Sequence, residues 1–453
     1  MPRSNKCSRR RFLGNAAVAA AGVSLPYFVP AGVLAAAGRP GANQRVIVGV
    51  IGAGARGRYL ISDMPDEARV AALCDCYPPR TAQILKAQGG LAARLEAFRQ
   101  RDAERCATYQ DYRTMIDRAK LDAVLIATPD HHHVLAAIRA CQAGMDVYVE
   151  KPLSLTIAEG RALVRAVARH GRVCQVGCQQ RTMEMDRFAC RFVREGGIGK
   201  VSLVEVQNYP GPMQDTDLAE EPVPDGLDWG LFCGPTLLRP HNRKLWVKDE
   251  FEVDGRLWRG WDLWRSYSGH LMTNWGGHAL DLVQCALGMD HTGPVEIWPM
   301  KDGYSGPMRL CPATARYADG TELRFETRRG LGLGGIFHGQ RGRMTIVRNR
   351  FRAEPPELVK DPPDPAEARV WQGADARLHV RNWLDCIKTR QTPNAPVEIG
   401  HRAATICHLA NICRELGRKL HWDPQKEVFP GDDEANALRD RPRRKGFELP
   451  EIT

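Results

Sequence analysis

The body of this 453-residue chain has no uninterrupted apolar run long enough to cross a bilayer, so no membrane-spanning helix is expected there. No internal repeat is visible, which sets aside solenoids and propellers. Paired CxxC knuckles are missing too. Cys74/Cys76 and Cys174/Cys178 do not make them, so no structural zinc is expected. The 14 cysteines are scattered, mostly in apolar runs such as "ALCD" and "TICHLANIC". That is the usage of buried thiols, not of a small disulfide-stapled domain. Acidic residues are absent from residues 1–37, which hold Arg3, Lys6, Arg9, Arg10 and Arg11. Five of the eleven net positive charges therefore sit there, leaving +6 on the remainder and little ground for a nucleic-acid surface. The short basic runs "RPRRK" (441–445) and "RNRFR" (348–352) read as solvated faces.

What remains is ordinary globular composition, 43% hydrophobic and 26% charged, with length for two domains. Residues 1–14 are basic and 16–37 are small and apolar, broken by Pro26 and Pro30 and closed by "AAA" at 35–37. The twin arginines within Arg9–Arg11, followed by Phe12 and Leu13, resemble a twin-arginine export signal. A membrane anchor is the competing reading, and the prolines argue against it. Residues 1–37 are thus expected to be a signal peptide that sends the mature chain to the periplasm.

"RVIVGVIG" (45–52), "VAALCD" (70–75), "AVLIATP" (123–129), "DVYVE" (146–150) and "VCQVG" (173–177) read as buried parallel strands. Helical patterns separate them. One runs from about His132 to Gln142 and stops at Gly144. Another starts at a capping box, Thr156 with Glu159, and ends at Gly171. The alternation predicts an α/β fold, a doubly wound parallel sheet of the Rossmann type over 43–178. Beyond it, "KVSLVEVQNY" (200–209), "PVEIWPM" (294–300), "TELRFETR" (321–328) and "RMTIVRN" (343–349) lack regular intervening helices. They predict an α+β domain over 179–453 with a mainly antiparallel open sheet. "GLGLGG" (330–335) reads as a turn, and 376–418 as helices broken near "TPNAP".

Gly52-Ala53-Gly54-Ala55-Arg56-Gly57 is a G-x-G-x-x-G between strand and helix, the context in which that motif cradles a pyrophosphate. Asp75 ends the second strand, where a carboxylate would accept from an adenosine ribose. NAD is therefore expected ahead of NADP, with Arg80 keeping NADP open. Thr128, Pro129 and the three histidines that follow Asp130 end the next strand. Consecutive histidines cannot form one facial metal triad. Asp130 is expected to cap a helix, and His131 to face the nicotinamide. Glu150 and Lys151 close a further parallel strand, where a lysine can steady an alkoxide or move a proton. A structural Glu–Lys pair fits that position equally well. Asn274, His278 and Asp281 could share one helix face and serve proton transfer, or be an ordinary polar face. Six of the ten tryptophans, Trp229, Trp246, Trp258, Trp261, Trp264 and Trp275, fall within one stretch. They suit a sugar-binding wall and a loop-made core alike.

The ordered set "GAGARG", "TPDHHH", "EKP", "QVGCQQR" and "NWGGHALD" resembles the glucose–fructose oxidoreductase / inositol dehydrogenase / MocA family. The resemblance covers nearly the whole mature chain. Its tail, "NAPVEIGHRAATICHLANICRELGRKLHWDP" and "GDDEAN", is similar to the exported sugar-processing branch. The family implies a nicotinamide cofactor, hydride transfer at a sugar or polyol carbinol, and an open sheet that pairs subunits into a dimer or tetramer. Its catalytic lysine matches Lys151. Its D-x-x-x-H pair falls on Asn274 and His278, so the first position departs from the pattern and base duty passes to His278, oriented by Asp281. Gln179, Gln180 and Arg181 are expected near the same cleft, with Trp275 as a sugar contact. Two enzyme readings follow, a sugar oxidoreductase that recycles its cofactor and a redox-neutral cleavage through a 3-keto sugar. The Asn274 departure also admits a non-catalytic sugar- or NAD-binding protein.

Overall fold

The computed structural model describes residues 45–89, 92–246, 260–326, 331–364, 366 and 376–452. The proposed leader and Trp258 lie outside them. Val46–Thr453 form one unit, separate from Met1–Arg45, and the account below concerns that unit.

The first sheet contains β1 (Val46–Ile51), β2 (Ala68–Cys74), β3 (Ala107–Tyr109), β4 (Ala123–Ile126), β5 (Asp146–Val149) and β6 (Cys174–Val176). All pairings are parallel, in the order β3-β2-β1-β4-β5-β6. Both faces of β4 and β5 are buried, which is why their sequences are continuous apolar runs. Helices α1 (Ala55–Ser62), α2 (His133–Gln142) and α3 (Ile157–His170) follow β1, β4 and β5. Thr156 Oγ1 accepts from the Glu159 N–H, and Gly171 ends α3 in the left-handed region at φ +59°. The Glu159 side chain does not close the capping box; it turns to Arg441. Strand order reverses between β1 and β4, and a crevice opens there at the strands' carboxyl ends.

The second sheet has β7 (Val201–Gln207), β8 (Glu296–Pro299), β9 (Ala313–Arg316), β10 (Glu322–Glu326), β11 (Gly335–Gly339), β12 (Gly342–Val347), β13 (Arg350–Glu354) and β14 (Leu420–His421). Its order is β13-β12-β11-β7-β10-β9-β8-β14, antiparallel except for the β7–β10 pair. Alternate residues, such as Leu323 and Phe325 or Met344 and Ile346, face a core shared with α4 (Glu184–Arg194), α5 (Gly276–Leu287) and α7 (Val397–Leu416). Before α7, helix α6 (Arg377–Thr389) returns to the first domain, where Val380 and Trp383 pack beneath the first sheet. All thirteen described cysteines are free thiols, ten of them buried.

The tryptophan-rich stretch builds a core of its own. Trp229, Phe232, Trp246, Trp264 and Tyr267 pack with Tyr77 of the first domain. The run 441–445 is not a solvated face. Arg441 Nε donates to Glu159 Oε1 at 2.8 Å, Arg443 Nη2 reaches the same oxygen at 3.2 Å, and Arg444 Nη2 donates to Gly230 O at 2.7 Å. Both Arg441 and Arg443 are largely buried. The basic run therefore clasps the chain's tail against α3 and the tryptophan segment.

Candidate active site

One cleft gathers residues that follow every strand of the first sheet: Gly52, Asp75, Gln110, Thr128, Lys151 and Gln179. At its mouth the chain must turn sharply from β1 into α1. Gly52 does so at φ +96°, and a Cβ there would lie 2.5 Å from Ala127 O. A Cβ on Gly57 would lie 2.1 Å from Gly52 O, so the turn and the helix can approach only without side chains. Gly54 is the N-cap of α1 and supplies no side-chain cap, and the positive end of the helix dipole borders the cleft. Asp75 Oδ2 accepts from Ala53 N at 2.8 Å and Oδ1 from Tyr77 N at 2.9 Å. The carboxylate thus braces the turn as well as ending β2. Arg80 stands 3.9 Å from Asp75 Oδ1 with its guanidinium 5.1 Å from the Trp246 ring centroid. Thr128 Oγ1 is buried without a partner among the described residues. The side-chain-free turn, the acidic end of β2 and this orphaned hydroxyl fit a dinucleotide. Gly52, Gly54, Ala55, Arg56, Asp75, Thr128 and Pro129 line the space, with Gly57 packed behind it.

The same cleft also holds Glu150, Lys151, Asn274, Trp275 and His278. Lys151 Nζ donates to Asn274 Oδ1 at 2.6 Å and to Asn274 O at 3.2 Å. Burial lowers the lysine's pKa, opposed by Glu150 and Asp130. Glu150 Oε1 accepts from Arg56 Nε at 2.7 Å. Burial pushes that carboxyl up, but Arg56 and Lys151 outweigh it and keep it ionised. His278 is held well below its ordinary pKa, first by burial and then by Lys151, Arg348 and Arg56. Its imidazole is therefore neutral and able to accept a proton. Trp275 is 42% exposed at the cleft's rim, with Trp246 and Trp261 also in the lining. The tryptophan stretch thus builds a core and also contributes to the cleft lining.

Four expectations need correction. His131 does not face the cleft; its ring packs on Phe232 and Tyr267, and its Nε2 lies 2.8 Å from Phe232 O. His132 is the histidine of that pair in the lining. Asp130 does not cap the following helix. Its Oδ2 accepts from Ser268 Oγ at 2.8 Å, tying the strand end to the tryptophan segment. Asp281 does not orient His278: its Oδ1 takes Arg181 Nε at 2.7 Å, and Arg181 continues to Asp290. That pair lies outside the cleft lining, because the buried bond to Arg181 holds the Asp281 carboxylate away from it. Gln180 is not in the lining but stands behind it, donating to the lining residue Leu333 at its O at 2.9 Å.

Among the lining residues that the sequence reading missed, two come from far along the chain. Arg348, in a run read as solvated, reaches the cleft from the β12–β13 hairpin. Phe447 arrives from the clasped tail, with Arg444 and Arg113 over its ring at 4.7 and 5.2 Å. The only local signal for either was an apolar or basic residue in a polar run.

Residues 46–178 match the model for the oxidoreductase family with an NAD-binding Rossmann fold, and 211–449 the model for its C-terminal α/β domain. The chain belongs to the Gfo/Idh/MocA oxidoreductase family. Its first domain is an NAD-binding Rossmann domain. A 2,7-anhydro-N-acetylneuraminate hydratase of Mediterraneibacter gnavus is 31% identical over 96 residues, 21% of this chain and 26% of that protein. A glycosyl hydrolase family 109 protein of Shewanella pealeana is 26% identical over 212 residues, 43% of this chain and 44% of its own. The matches thus span less than half the length of these relatives. Among solved structures, the WlbA dehydrogenase of Bordetella pertussis, in complex with NADH and UDP-GlcNAcA, superposes with a TM-score of 0.60. It is 16% identical, covering 85% of this chain and 99% of the other, a likeness of fold.

Proposed function

We propose that this Gfo/Idh/MocA protein is an NAD-dependent oxidoreductase acting on a carbinol of a sugar, polyol or glycoside. The observation that carries the reading is the Lys151–Asn274 contact of 2.6 Å, in one cleft with a neutral His278 and the glycine turn. Bound at that turn, NAD supplies the hydride acceptor and donor. Gly52, Gly54, Ala55, Arg56, Asp75, Thr128 and Pro129 would hold it. The rest falls to side chains. Asn274 spends its amide oxygen on Lys151 and keeps its NH2 as a donor to a substrate oxygen. Lys151 presents its ammonium to the carbinol oxygen and stabilises negative charge there. His278 accepts the hydroxyl proton. Trp275 offers an apolar surface to a sugar face, and Gln179 borders the same space.

Asn274 cannot take a proton as a carboxylate would, which makes His278 the base in this reading. The leader's twin arginines suggest export of a folded, cofactor-loaded protein to the periplasm, where free NAD is scarce. The enzyme would then keep its cofactor through each turnover. It would do so either by oxidising one sugar and reducing another, or by returning the hydride after eliminating a glycosidic group. The hydratase and glycosyl hydrolase relatives, named for reactions without net oxidation, favour the second form. The open face of the second sheet is where copies of the chain would pair.

The test is to denature the purified mature protein, identify the released nucleotide by mass spectrometry, and then screen sugars by the fluorescence of bound NADH. Co-purified NAD reduced by at least one sugar is expected. Empty protein that reduces no NAD with any sugar would overturn the reading. Product stoichiometry then separates net oxidation from cleavage. Periplasmic fractionation tests the export step.

A further inference from the structure

Of the four cations that line the cleft, Arg56, Arg80, Lys151 and Arg348, the last stands apart from the lining carboxylates. Arg56 is paired with Glu150. Lys151 rests on an amide oxygen. Arg348 forms no ion pair with any described residue. Its one polar contact there is the Gln179 amide: with the Gln179 nitrogen donating to Gly177 O, the oxygen accepts from Arg348 Nη2 at 3.3 Å. Asp186 and Glu150 act on Arg348 only from a distance. Glu150 is already spent on Arg56, and burial pushes the Asp186 carboxyl up to about 8, which leaves it mostly uncharged at neutral pH.

The arginine is built into place. Val347 pairs with Arg350, so Arg348 and Asn349 are the two-residue loop between β12 and β13. Asn349 takes the left-handed conformation at φ +55°. Its N–H donates to both oxygens of Asp186 on α4, at 3.0 and 3.0 Å. The hairpin tip is thereby anchored to the second domain's core, and Arg348 projects beside Gln179, Leu333 and His278. A guanidinium fork held this way matches the paired oxygens of an anion and binds them through parallel, charge-assisted hydrogen bonds. A neutral sugar would leave the fork to water.

We propose that Arg348 binds an anionic exocyclic group of the substrate, a carboxylate or a sulfate ester, and so selects acidic sugars. The proposal rests on the sugar-oxidoreductase reading above and adds its substrate class. The anion supplies the partner charge that Arg348 lacks, while the carbinol lies against Lys151 and His278.

The experiment uses the full mature protein with its bound NAD. Matched methyl glycosides, glycosiduronates and glycoside 6-sulfates of the gluco, galacto and manno series are titrated by calorimetry, with bound-NADH fluorescence read in parallel. At least one uronate or sulfate should bind roughly 100-fold more tightly than its neutral partner, the scale of a lost charge-assisted pair. The acidic series that binds identifies the group. Arg348→Gln should bring the pair to within about threefold of each other while NAD content and neutral-sugar affinity hold, and Arg348→Lys should keep part of the preference. Equal binding of neutral and acidic sugars by the wild type overturns the proposal. So does loss of NAD from Arg348→Gln, because the arginine would then serve the cofactor. If Arg348→Gln does not fold, the wild-type ratio and Arg348→Lys decide. Acidic sugars that bind tightly without forming NADH would leave the charge assignment standing and remove the oxidoreductase reading. Neutral sugars that form NADH while acidic ones fail to bind would do the reverse.

Discussion

An ammonium bonded to an amide oxygen beside an ionised glutamate is a proton donor that the fold has already oriented. Lys151 has that setting, and its lowered pKa makes the proton easier to give. Lys151→Ala should keep its NAD and lose turnover by roughly 10²- to 10⁴-fold, the usual range for a positioned acid or base. Nucleotide content by mass spectrometry and the rate of bound-NADH formation check both halves. Undiminished turnover would remove the lysine from the mechanism. Asn274 tests the same contact from the other side. Asn274→Asp puts a carboxylate 2.6 Å from Nζ in place of an amide oxygen, which favours the charged lysine and raises its pKa. Activity that needs the ammonium is lost as pH rises through that pKa, so the alkaline limb of the profile should move to higher pH in the variant. The acid limb belongs to His278. Because its pKa is depressed, the neutral base survives below the ordinary histidine value, and wild-type activity should persist below about pH 6.5. An acid limb at or above that pH would assign the base elsewhere.

At the scale of elements, the turn from β1 into α1 is the piece with least room. A Cβ on Gly57 meets the backbone oxygen of Gly52, which cannot rotate away. Gly57→Ala should therefore push α1 off β1, lower the melting temperature and empty the protein of NAD. Gly277→Ala, where a Cβ meets nothing within 4 Å, should leave the melting temperature unchanged or slightly raised. Equal behaviour of the two variants would refute the close-approach argument. Such a turn was legible in the sequence because its cause is local: an apolar strand, three glycines, a helix. The same holds for the buried strands β1, β2, β4, β5 and β6. The parts that escaped have non-local causes. The strand β3 is only three residues long, and β11, "GIFHG", starts and ends in glycine. The strand β13, "RFRAE", reads as a charged loop until β12 pairs with it. Arg348 and the tail arginines were read as solvated because their partners lie far off in sequence, 282 residues away for Arg441 and Glu159. Asp281 was misassigned for the opposite reason: spacing put it near His278, while Arg181, a hundred residues away, holds it.

Across the whole molecule, two peripheral segments complete the cleft that the two sheets begin. The tryptophan segment contributes Leu231, Phe232, Trp246 and Trp261, and the tail contributes Phe447. Neither is part of a sheet, so each depends on fasteners. For the tail the central fastener is Glu159, 2% exposed, which holds Arg441 and Arg443 together. Arg441 also donates to Thr236 Oγ1 at 2.9 Å and His131 O at 3.0 Å, so one guanidinium joins the tail, the tryptophan segment and the end of β4. A cover fastened in this way would slow cofactor exchange, as the exported, cofactor-retaining reading requires. Glu159→Gln keeps the shape and removes the charge, leaving two largely buried arginines with less compensation. Breaking a buried pair from one side typically costs about 3–5 kcal/mol. The tail should then detach before the domains unfold, because its contacts are few beside the two cores. Trypsin reads this directly, since the clasp contains its own cleavage sites. Wild-type protein should resist cutting after Arg443, Arg444 and Lys445, whereas Glu159→Gln should be nicked there while the rest of the chain stays intact. The same variant should release NAD faster into a dilute solution. Cutting at equal rates in both proteins would show that Glu159 does not fasten the tail. Nicking without faster NAD loss would show that the tail does not retain the cofactor.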